Sequence, residues 1–356
     1  MGGKMFLLKK VKSYYSFLSI RKVNIFMVLF ILCILMMTIS ACAASGSNSN
    51  NAIYFNMRSA EGSGIMDCSG NWIVEPRTDG FFSNLMVNGL TPFYDASQTS
   101  NPYSYINSKG KSAFDGHFRL AMPFSEGFAG VLVEDQWGFI DTTGKFVIDP
   151  SYSGAYVGSF SGGLVNVPVE FTVYHTPKSW IYINSKGEQV LGPYQSADSF
   201  TNGAAAVTLI TGEVYKTGYI DTEGRFLLEF SFEERLSPAG SYSENLFAVR
   251  DTRMQIEEGK CSIGFMNKDK EWVIEPQFCW VGLFVDGLAP VSKDEANSTL
   301  GPYGYINTAG EMVIEEIYNY PTNFSGGCAL VRWNQFNSMG LIDTHGEMIY
   351  QYDSEN

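Results

Sequence analysis

The stretch Gln-Trp-Gly-Phe-Ile-Asp-Thr-Thr-Gly-Lys-Phe-Val-Ile-Asp-Pro, residues 136–150, predicts two short β-strands joined by a tight turn. The turn runs from Asp141 to Gly144, because Asp favours the first position of a type I turn and Gly favours the fourth. Residues 146–148 form the second strand, which Pro150 ends because proline has no amide hydrogen to donate to a sheet. The stretch is therefore interpreted as a β-hairpin.

Eight copies of this hairpin follow one another along the chain. Each copy has Asp or Asn at the first turn position, and seven have Gly three residues later. The eight anchor residues are Asp67, Asn107, Asp141, Asn184, Asp221, Asn267, Asn307 and Asp343. They lie 40, 34, 43, 37, 46, 40 and 36 residues apart, which indicates a fixed unit with loops of variable length.

A second pattern, Phe-Ser-x-Gly followed by a small-residue strand such as Phe-Ala-Gly-Val, falls between the hairpins. Clear copies begin at Phe124, Phe160 and Phe200, and further copies begin at Tyr242, Phe284 and Phe324. Ser-x-Gly is typical of a turn, and the small residues after it permit close packing of a strand. Each unit therefore has about three strands.

The units resemble WG-containing β-repeats, named for a Trp-Gly dipeptide before the strand and turn. Trp137-Gly138 has the full dipeptide, and two units, at Ser104 and Ile181, lack the Gly. Other units place a different residue before the Gly, as in Thr217-Gly218, Ile263-Gly264, Tyr303-Gly304 and Met339-Gly340. The resemblance covers about residues 59–350 and implies an interaction module, not an enzyme.

The predicted fold is all-β, with about eight tandem β-hairpin or meander units of roughly 40 residues. Because one unit cannot bury its own apolar face, neighbouring units must stack to share a core. We expect an open twisted array of units, and a closed propeller-like ring is the alternative. One single helical turn is expected, at residues 230–236.

The first 41 residues differ from the rest and predict a lipoprotein-type signal peptide. Six basic residues and no acid precede an apolar run at residues 25–37, which is shorter than a membrane span. Small residues before Cys42 resemble a bacterial lipobox, which implies lipid attachment at Cys42. A Ser/Asn-rich tether at 42–52, a repeat domain at 53–350 and a polar tail at 351–356 complete the predicted organisation.

The charge balance argues against nucleic acid as a partner. The chain has 37 acidic and 24 basic residues, a net charge of −13, and loss of residues 1–41 would remove six more positive charges. A strongly acidic surface repels phosphate backbones and anionic headgroups. The signal peptide predicts an extracytoplasmic protein, and the acidic surface predicts that the lipid alone attaches it to the membrane.

Four cysteines remain after the signal peptide and Cys42, namely Cys68, Cys261, Cys279 and Cys328. An exported location permits disulfides, but the spacings are long and the core is large. We expect mostly free, buried thiols. If a bridge exists, Cys261–Cys279 is the pairing expected first, because these cysteines flank one hairpin.

No sequence constellation for catalysis, a cofactor or a metal site is found. The three histidines are far apart, and His345 is interpreted as a turn residue. A calcium loop needs several alternating oxygens, whereas each repeat turn offers one Asp or Asn. The acid pairs at 134–135, 233–234, 257–258 and 315–316 are interpreted as solvated charges.

The aromatic residues are the remaining candidates for a binding site. Tyr103, Trp280, Tyr303 and Trp333 lie in less regular surroundings, and we expect them to be exposed and to face a ligand. The leading hypothesis is a non-catalytic, membrane-anchored module that binds a protein or peptide. Its alternatives are a module that binds cell-wall carbohydrate through aromatic side chains and a hydrolase that uses paired carboxylates.

Overall fold

The computed structural model describes residues 54–82, 86–171, 177–254, 261–294, 302–333 and 338–353. Strand accounts for 61% of the structure and helix for 1%. The strands form eight small antiparallel sheets, which we number in chain order, and none of these described sheets closes into a barrel. The predicted all-β fold with tandem repeats is confirmed.

The first four sheets occupy the N-terminal half of the repeats. Sheet 1 contains β1 (Phe55–Ser59), β2 (Gly62–Met66) and β3 (Trp72–Arg77). Sheet 2 contains β4 (Gly80–Phe82), β5 (Leu90–Asp95) and β6 (Tyr103–Asn107). Sheet 3 contains β7 (Leu120–Ala121), β8 (Phe128–Val133), β9 (Gln136–Asp141) and β10 (Phe146–Ser153). Sheet 4 contains β11 (Leu164–Phe171), β12 (Pro177–Asn184) and β13 (Gln189–Tyr194).

The last four sheets repeat the same plan. Sheet 5 contains β14 (Ser196–Ala197), β15 (Ala205–Thr211), β16 (Val214–Ile220) and β17 (Phe226–Ser231). Sheet 6 contains β18 (Leu236–Ser243), β19 (Leu246–Asp251), β20 (Ile263–Met266) and β21 (Trp272–Phe278). Sheet 7 contains β22 (Trp280–Val281), β23 (Leu288–Ser292), β24 (Tyr303–Asn307) and β25 (Met312–Tyr318). Sheet 8 contains β26 (Cys328–Trp333), β27 (Ser338–Asp343) and β28 (Met348–Asp353).

The eight anchor residues adopt one geometry, which confirms the predicted turns. In sheet 3, one carboxylate oxygen of Asp141 accepts hydrogen bonds from the backbone amides of Thr143 and Lys145, at 2.9 and 3.2 Å. The same two bonds form at every other anchor. The turn side chain therefore satisfies backbone donors that the sheet leaves unpaired.

The Trp position of the repeat, four residues before each anchor, is a core position in all eight sheets. Its occupants are Ser63, Tyr103, Trp137, Trp180, Thr217, Ile263, Tyr303 and Met339, and each is less than 10% exposed. Trp137 also donates its indole hydrogen to the carbonyl oxygen of Gly154, at 3.1 Å. The dipeptide that names the repeat therefore has a structural role in this chain.

The Gly position is explained by a bulge in the neighbouring strand. Between the pairs Phe139–Ile148 and Trp137–Tyr152, β10 carries three residues opposite the single Gly138. A Cβ atom on Gly138 would lie 2.9 Å from the carbonyl oxygen of Ile148. The bulged backbone therefore leaves no room for a side chain at this position.

In sheet 4, the glycine lies on the other strand of the pair. Ile181 occupies the usual Gly position, and a Cβ on Gly192 of β13 would lie 3.2 Å from its Cα atom. Strands β12 and β13 therefore approach as closely as the equivalent strands of sheet 3, although sheet 4 lacks the Trp-Gly dipeptide.

Replacing Gly138 with alanine is expected to lower the free energy of unfolding by about 2 kcal/mol, because the neighbouring atoms are backbone and cannot rotate away. Urea unfolding followed by circular dichroism measures the change. The matched control is Gly130→Ala in the adjacent strand β8, where the nearest atoms are side-chain ends of Met122 and Val157, each at 3.1 Å. Equal losses in the two variants would contradict this explanation of the motif.

Seven apolar clusters join the sheets in sequence, each cluster shared by two consecutive sheets. The eighth cluster joins sheet 8 to sheet 1 and contains Phe55, Met57, Leu330 and Leu341. The sheets follow one another in chain order and none is closed, as we predicted for an open array. The contact between the first and last sheets is what the alternative prediction, a propeller-like ring, requires.

Two disulfides correct the expectation of free thiols. Cys68 in the turn of sheet 1 is bonded to Cys328 at the start of β26, with Cα atoms 5.6 Å apart. Cys261 is bonded to Cys279, the pairing that the sequence favoured if a bridge existed, with Cα atoms 4.2 Å apart. The expectation was wrong because contact between the end sheets brings together cysteines that are 260 residues apart.

Two smaller predictions are also wrong. Residues 230–236 do not form a helical turn, because Phe230 is buried in β17 and pairs with Thr217. Among the described residues, helix occurs at 252–254. Residues 351–353 are not a tail, because β28 extends to Asp353 and pairs with β27. The predicted signal peptide and tether, together with Cys42, lie outside the described residues.

Candidate functional site

Each sheet has two different ends, which we call the turn end and the loop end. The turn end carries the Asp/Asn turns and the Ser-x-Gly turns. The loop end carries the connections between the two strands that precede each Asp/Asn turn, such as residues 134–135 in sheet 3 and 212–213 in sheet 5. Turn ends contact one another between sheets 3 and 4, 5 and 6, 6 and 7, and 7 and 8, so the turn ends of the two sheets in each of these pairs lie side by side.

Hydrogen bonds between neighbouring sheets engage polar groups of the turn end. The Ser-x-Gly turns have positive φ at both central residues, for example Glu126 at 51° and Gly127 at 83°, which is typical of type I′ turns. The Glu126 carboxylate accepts the backbone amides of Gly162 and Gly163 in the next sheet, both at 2.8 Å. Glu244 and Asp286 make equivalent bonds to the sheets that follow them.

The calcium interpretation finds no support at these turns. One oxygen of each anchor side chain accepts two backbone amides, so it is already engaged. Within the ranges that the structure describes, no group of three or more His, Cys, Asp or Glu residues is arranged to hold a metal ion. The turn end is therefore best explained as a structural element that fixes the sheets to one another.

Arginine and exposed aromatic residues concentrate at the loop end. Seven of the eight arginines in the described residues lie there, namely Arg58, Arg77, Arg119, Arg235, Arg250, Arg253 and Arg332. The exposed aromatic residues Phe81 and Phe232, which are 42% and 60% exposed, lie at the same end. Phe81 stacks on Tyr94 at 4.6 Å, and Phe232 contacts Tyr215 edge-on at 6.0 Å.

An aromatic–arginine strip, which we define as Trp280, Tyr303, Tyr320, Arg332 and Arg58, crosses the loop end of sheets 7, 8 and 1. Trp280 contacts Tyr303 edge-on, with ring centroids 5.2 Å apart. The Arg332 guanidinium lies 5.8 Å from the ring centroid of Tyr320. Trp280, Tyr320 and the two arginines are of the residue types that dominate many binding interfaces, whereas Tyr303 is buried and supports Trp280 from the core.

Electrostatic interactions connect the members of this strip. Burial, and then the neighbouring Tyr320, raise the pKa of Tyr303 to about 12, so its hydroxyl stays protonated at neutral pH. Burial, and then the charge of Arg58, lower the pKa of Arg332. The hydroxyl of Tyr350 donates to the backbone carbonyl of Arg58 at 3.0 Å, which ties sheet 8 to sheet 1 beside the strip.

The four aromatic residues predicted to be exposed have different environments. The prediction of exposure is wrong for Tyr103 and Tyr303, which are 9% and 3% exposed because they occupy the Trp position of their repeats. Trp280 is half-buried and belongs to the strip. Trp333 is half-buried and packs against the apolar cluster between sheets 7 and 8. A role in ligand binding stays a prediction for Trp280 and Trp333.

The acid pairs considered for a hydrolase lie in separate sheets. Asp135 pairs with Arg119 at the loop end of sheet 3, and Glu234 pairs with Lys270 at 2.7 Å. Burial raises the pKa of Glu316 in β25, whereas its neighbour Glu315 is exposed. The pair at 257–258 lies outside the described residues. These described pairs share no common cleft that would favour acid–base chemistry.

Asp198, just after β14, has an unusual environment. Although the residue as a whole is partly open to solvent, its carboxyl lies close to the body of sheet 5, and the buried hydroxyl of Tyr182 donates to its backbone carbonyl at 2.7 Å. Burial raises the pKa of its carboxyl from 3.8 to about 6. Because the folded state favours the protonated acid, Asp198 should lower stability as the pH rises from about 4 to about 6.

The variant Asp198→Asn is therefore expected to be more stable than the wild type at pH 7.5 and nearly equal to it at pH 3.5. Solvent reaches the side chain, so we expect a gain of about 1 kcal/mol, below the ~3 kcal/mol that the full shift would give for an enclosed group. Urea unfolding at both pH values measures the difference. A gain that is the same at both values would show that the charge of Asp198 is not responsible.

The part of the chain that the structure describes contains no helix with the length and apolar character needed to cross a bilayer.

Several solved structures resemble this chain with TM-scores below 0.5 and low sequence identity. A structure of AztD from Citrobacter koseri has a TM-score of 0.49 and 10% identity, covering 86% of this chain and 96% of that chain. An uncharacterised protein from Listeria monocytogenes has a TM-score of 0.42 and 9% identity, covering 88% and 94%. Virginiamycin B lyase from Staphylococcus aureus has a TM-score of 0.40 and 15% identity, covering 65% and 83%. Likeness at this level carries no inference about function.

Sequence comparison identifies the repeat itself. None of the curated proteins matches the chain. The family model described as "WG containing repeat" matches residues 103–137, 137–167, 218–251, 263–295 and 303–334. These segments coincide with strands and turns of the sheets described above, and four of the eight Trp positions, at residues 103, 137, 263 and 303, lie at their boundaries. The chain thus carries WG-containing repeats at five positions.

Proposed function

We propose that this chain is a non-catalytic, membrane-anchored extracytoplasmic module whose loop end binds a protein or peptide partner. The observation that carries the proposal is the difference between the two ends of the sheets. Hydrogen bonds between neighbouring turns constrain the turn end, whereas the loop end combines arginine, exposed aromatic residues and connections of variable length.

The composition of the loop end fits recognition of another protein. Trp, Tyr and Arg account for much of the binding energy at protein interfaces, because they bury a large area and also offer hydrogen bonds or charge. Binding residues are often placed on loops that a rigid scaffold positions. The eight apolar clusters provide such a scaffold, and the connections on one side of it can vary without disturbing the core.

The two disulfides support a location outside the cytoplasm. Disulfides persist in oxidising compartments and are rare where thiols are kept reduced. This agrees with the lipoprotein-type signal read from residues 1–41, with Cys42 as the proposed lipid attachment site. In cells, Cys42→Ala should release the protein from the membrane fraction, and unchanged retention would reject the lipid anchor.

The binding proposal is tested with variants at opposite ends of the sheets. The full chain is used to capture partners from cell-envelope extracts, and each captured protein is purified and titrated against the chain. The loop-end variant combines Phe81→Ser with Phe232→Ser, both on exposed side chains. The turn-end control combines Lys186→Ser with Glu223→Ser.

We expect the loop-end variant to weaken binding at least about tenfold, which corresponds to ~1.4 kcal/mol. The turn-end variant should bind as the wild type does. Equal weakening by both variants, or by neither, would reject the loop end as the binding surface. Circular dichroism confirms that both variants remain folded.

A second candidate is recognition of cell-wall carbohydrate. The observation that favours it is the stack of exposed Phe81 on Tyr94, whose rings are 4.6 Å apart and inclined by 14°. Such a pair offers an aromatic face on which a sugar ring could pack. Titration of the same variants with purified wall glycans distinguishes this candidate. If the chain recognises carbohydrate, the loop-end variant should weaken binding of the glycans and should leave binding of captured proteins unchanged.

A further inference from the structure

We propose that Arg332 and Arg58 form a binding site for an oxyanion. The oxyanion is a carboxylate or phosphate group that belongs to a ligand bound at the loop end. This inference rests on the proposed function, because it names the chemical class of ligand for the same surface. The site lies where sheet 8 meets sheet 1, next to the ring of Tyr320.

Arg332 lacks a hydrogen-bond partner where one is expected. Its Nε atom is buried and has no hydrogen-bond partner. A buried donor without a partner loses the hydrogen bonds that water would supply, and a charged donor loses more than a neutral one. The guanidinium therefore lies in a position that an anion would stabilise.

The neighbouring charge is also positive. Arg58, on β1 of sheet 1, interacts electrostatically with Arg332 and adds to burial in lowering the pKa of Arg332. Neither arginine forms an ion pair with an acidic residue in the described part of the chain. Two unpaired arginines therefore meet at one junction between sheets.

Arg332 differs from the other arginines of the described residues by its buried nitrogen without a hydrogen-bond partner. Acidic residues outnumber basic ones by 37 to 24, so an arginine has many possible partners. Four other arginines of the described residues form ion pairs with an acidic residue, namely Arg77–Asp79, Arg119–Asp135, Arg225–Asp221 and Arg253–Asp251. Arg235 and Arg250 also form no ion pair with an acidic residue in the described part of the chain, but the buried nitrogen without a hydrogen-bond partner belongs to Arg332, and an external anion would complete its site.

The chemistry of the site defines the ligand further. A guanidinium presents a planar fork of donors that matches the two oxygens of a carboxylate or phosphate. Tyr320 lies beside the fork, and Trp280 with Tyr303 continues the strip. The expected ligand therefore carries an oxyanion next to an apolar or planar group.

The test uses the full chain solubilised in a non-ionic detergent, with sodium phosphate and sodium acetate as probes. Sodium chloride at equal ionic strength serves as the reference, since general screening acts on all charged surfaces. At about ten times the dissociation constant, a bound anion should raise the melting temperature by about 2–4 °C. The anion that gives the rise identifies phosphate or carboxylate as the preferred group.

Variants separate an anion site from a structural role. Arg332→Met keeps the length of the side chain beside Tyr320 but removes the charge, and it should abolish the rise. In the absence of anion its melting temperature should equal or exceed that of the wild type, because an unpaired buried charge has been removed. Arg58→Gln should weaken the rise, and the control Arg119→Gln, whose guanidinium is paired with Asp135, should retain it.

Three outcomes would overturn the proposal. They are no rise in the wild type with either anion, a full rise in Arg332→Met, or loss of the rise in Arg119→Gln. Calorimetric titration of each folded variant with the same probes gives an independent measure of binding. The partner experiment with Phe81 and Phe232 does not depend on these arginines, so a failure here leaves the proposed function separately testable.

Discussion

Replacing Cys68 and Cys328 with serine is expected to lower the free energy of unfolding by about 5 kcal/mol. The bond closes a loop of 260 residues and joins the first sheet to the last. Each of these two sheets is built from its own consecutive strands, so no strand exchanged between them holds the ends together. In the unfolded chain, the bond removes the conformational freedom that such a long loop would otherwise have.

The second disulfide is the matched control. Cys261 and Cys279 are 18 residues apart, for which the same relation gives about 3 kcal/mol. Urea unfolding of both double-serine variants, monitored by tryptophan fluorescence, measures the two losses. Equal losses in the two variants would contradict the expected dependence of the stabilisation on the length of the closed loop.

The sequence allowed much of the fold to be predicted because the repeat is written in local chemistry. Asp or Asn at the first turn position, with Gly three residues later, identifies a turn without knowledge of any distant residue. The eight turns were therefore found from the sequence, and their side chains make the same two backbone bonds throughout. The strand before each turn follows from the same local signal.

Tyr303 shows that repeat position determines burial more reliably than residue type does. It lies at the Trp position of its repeat, and that position is buried in every sheet. The alignment of the repeats already placed Tyr303 beside Gly304, as Trp137 lies beside Gly138. Comparison with the equivalent positions would therefore have predicted a core residue, whereas its irregular surroundings suggested exposure.

Features that depend on distant parts of the chain were not accessible in this way. Cys68 meets Cys328, and Arg58 meets Arg332, only because sheet 8 packs on sheet 1. The repeat pattern is compatible with both an array and a ring, so it does not indicate which residues of the two ends lie together. The disulfide and the candidate anion site therefore required the structure.

The second large effect is expected from Trp137→Ala, which should lower the free energy of unfolding by about 4 kcal/mol. Trp137 is 1% exposed, belongs to the cluster between sheets 3 and 4, and donates its indole hydrogen to Gly154. Alanine would leave a large cavity and a carbonyl oxygen without its donor. Urea unfolding measures the loss, and binding of the partner, assayed below the unfolding transition, should be unchanged.

Trp280→Ala should give the opposite result, and the comparison separates core tryptophans from binding tryptophans. Trp280 is half-buried and contacts Tyr303 at the loop end, so its removal should cost about 1 kcal/mol of stability. If the strip forms part of the interface, partner affinity should fall by about tenfold or more, as for an aromatic side chain at the centre of an interface. A large loss of stability with unchanged affinity would place Trp280 in the core with Trp137, and the binding surface would then have to lie elsewhere on the loop end.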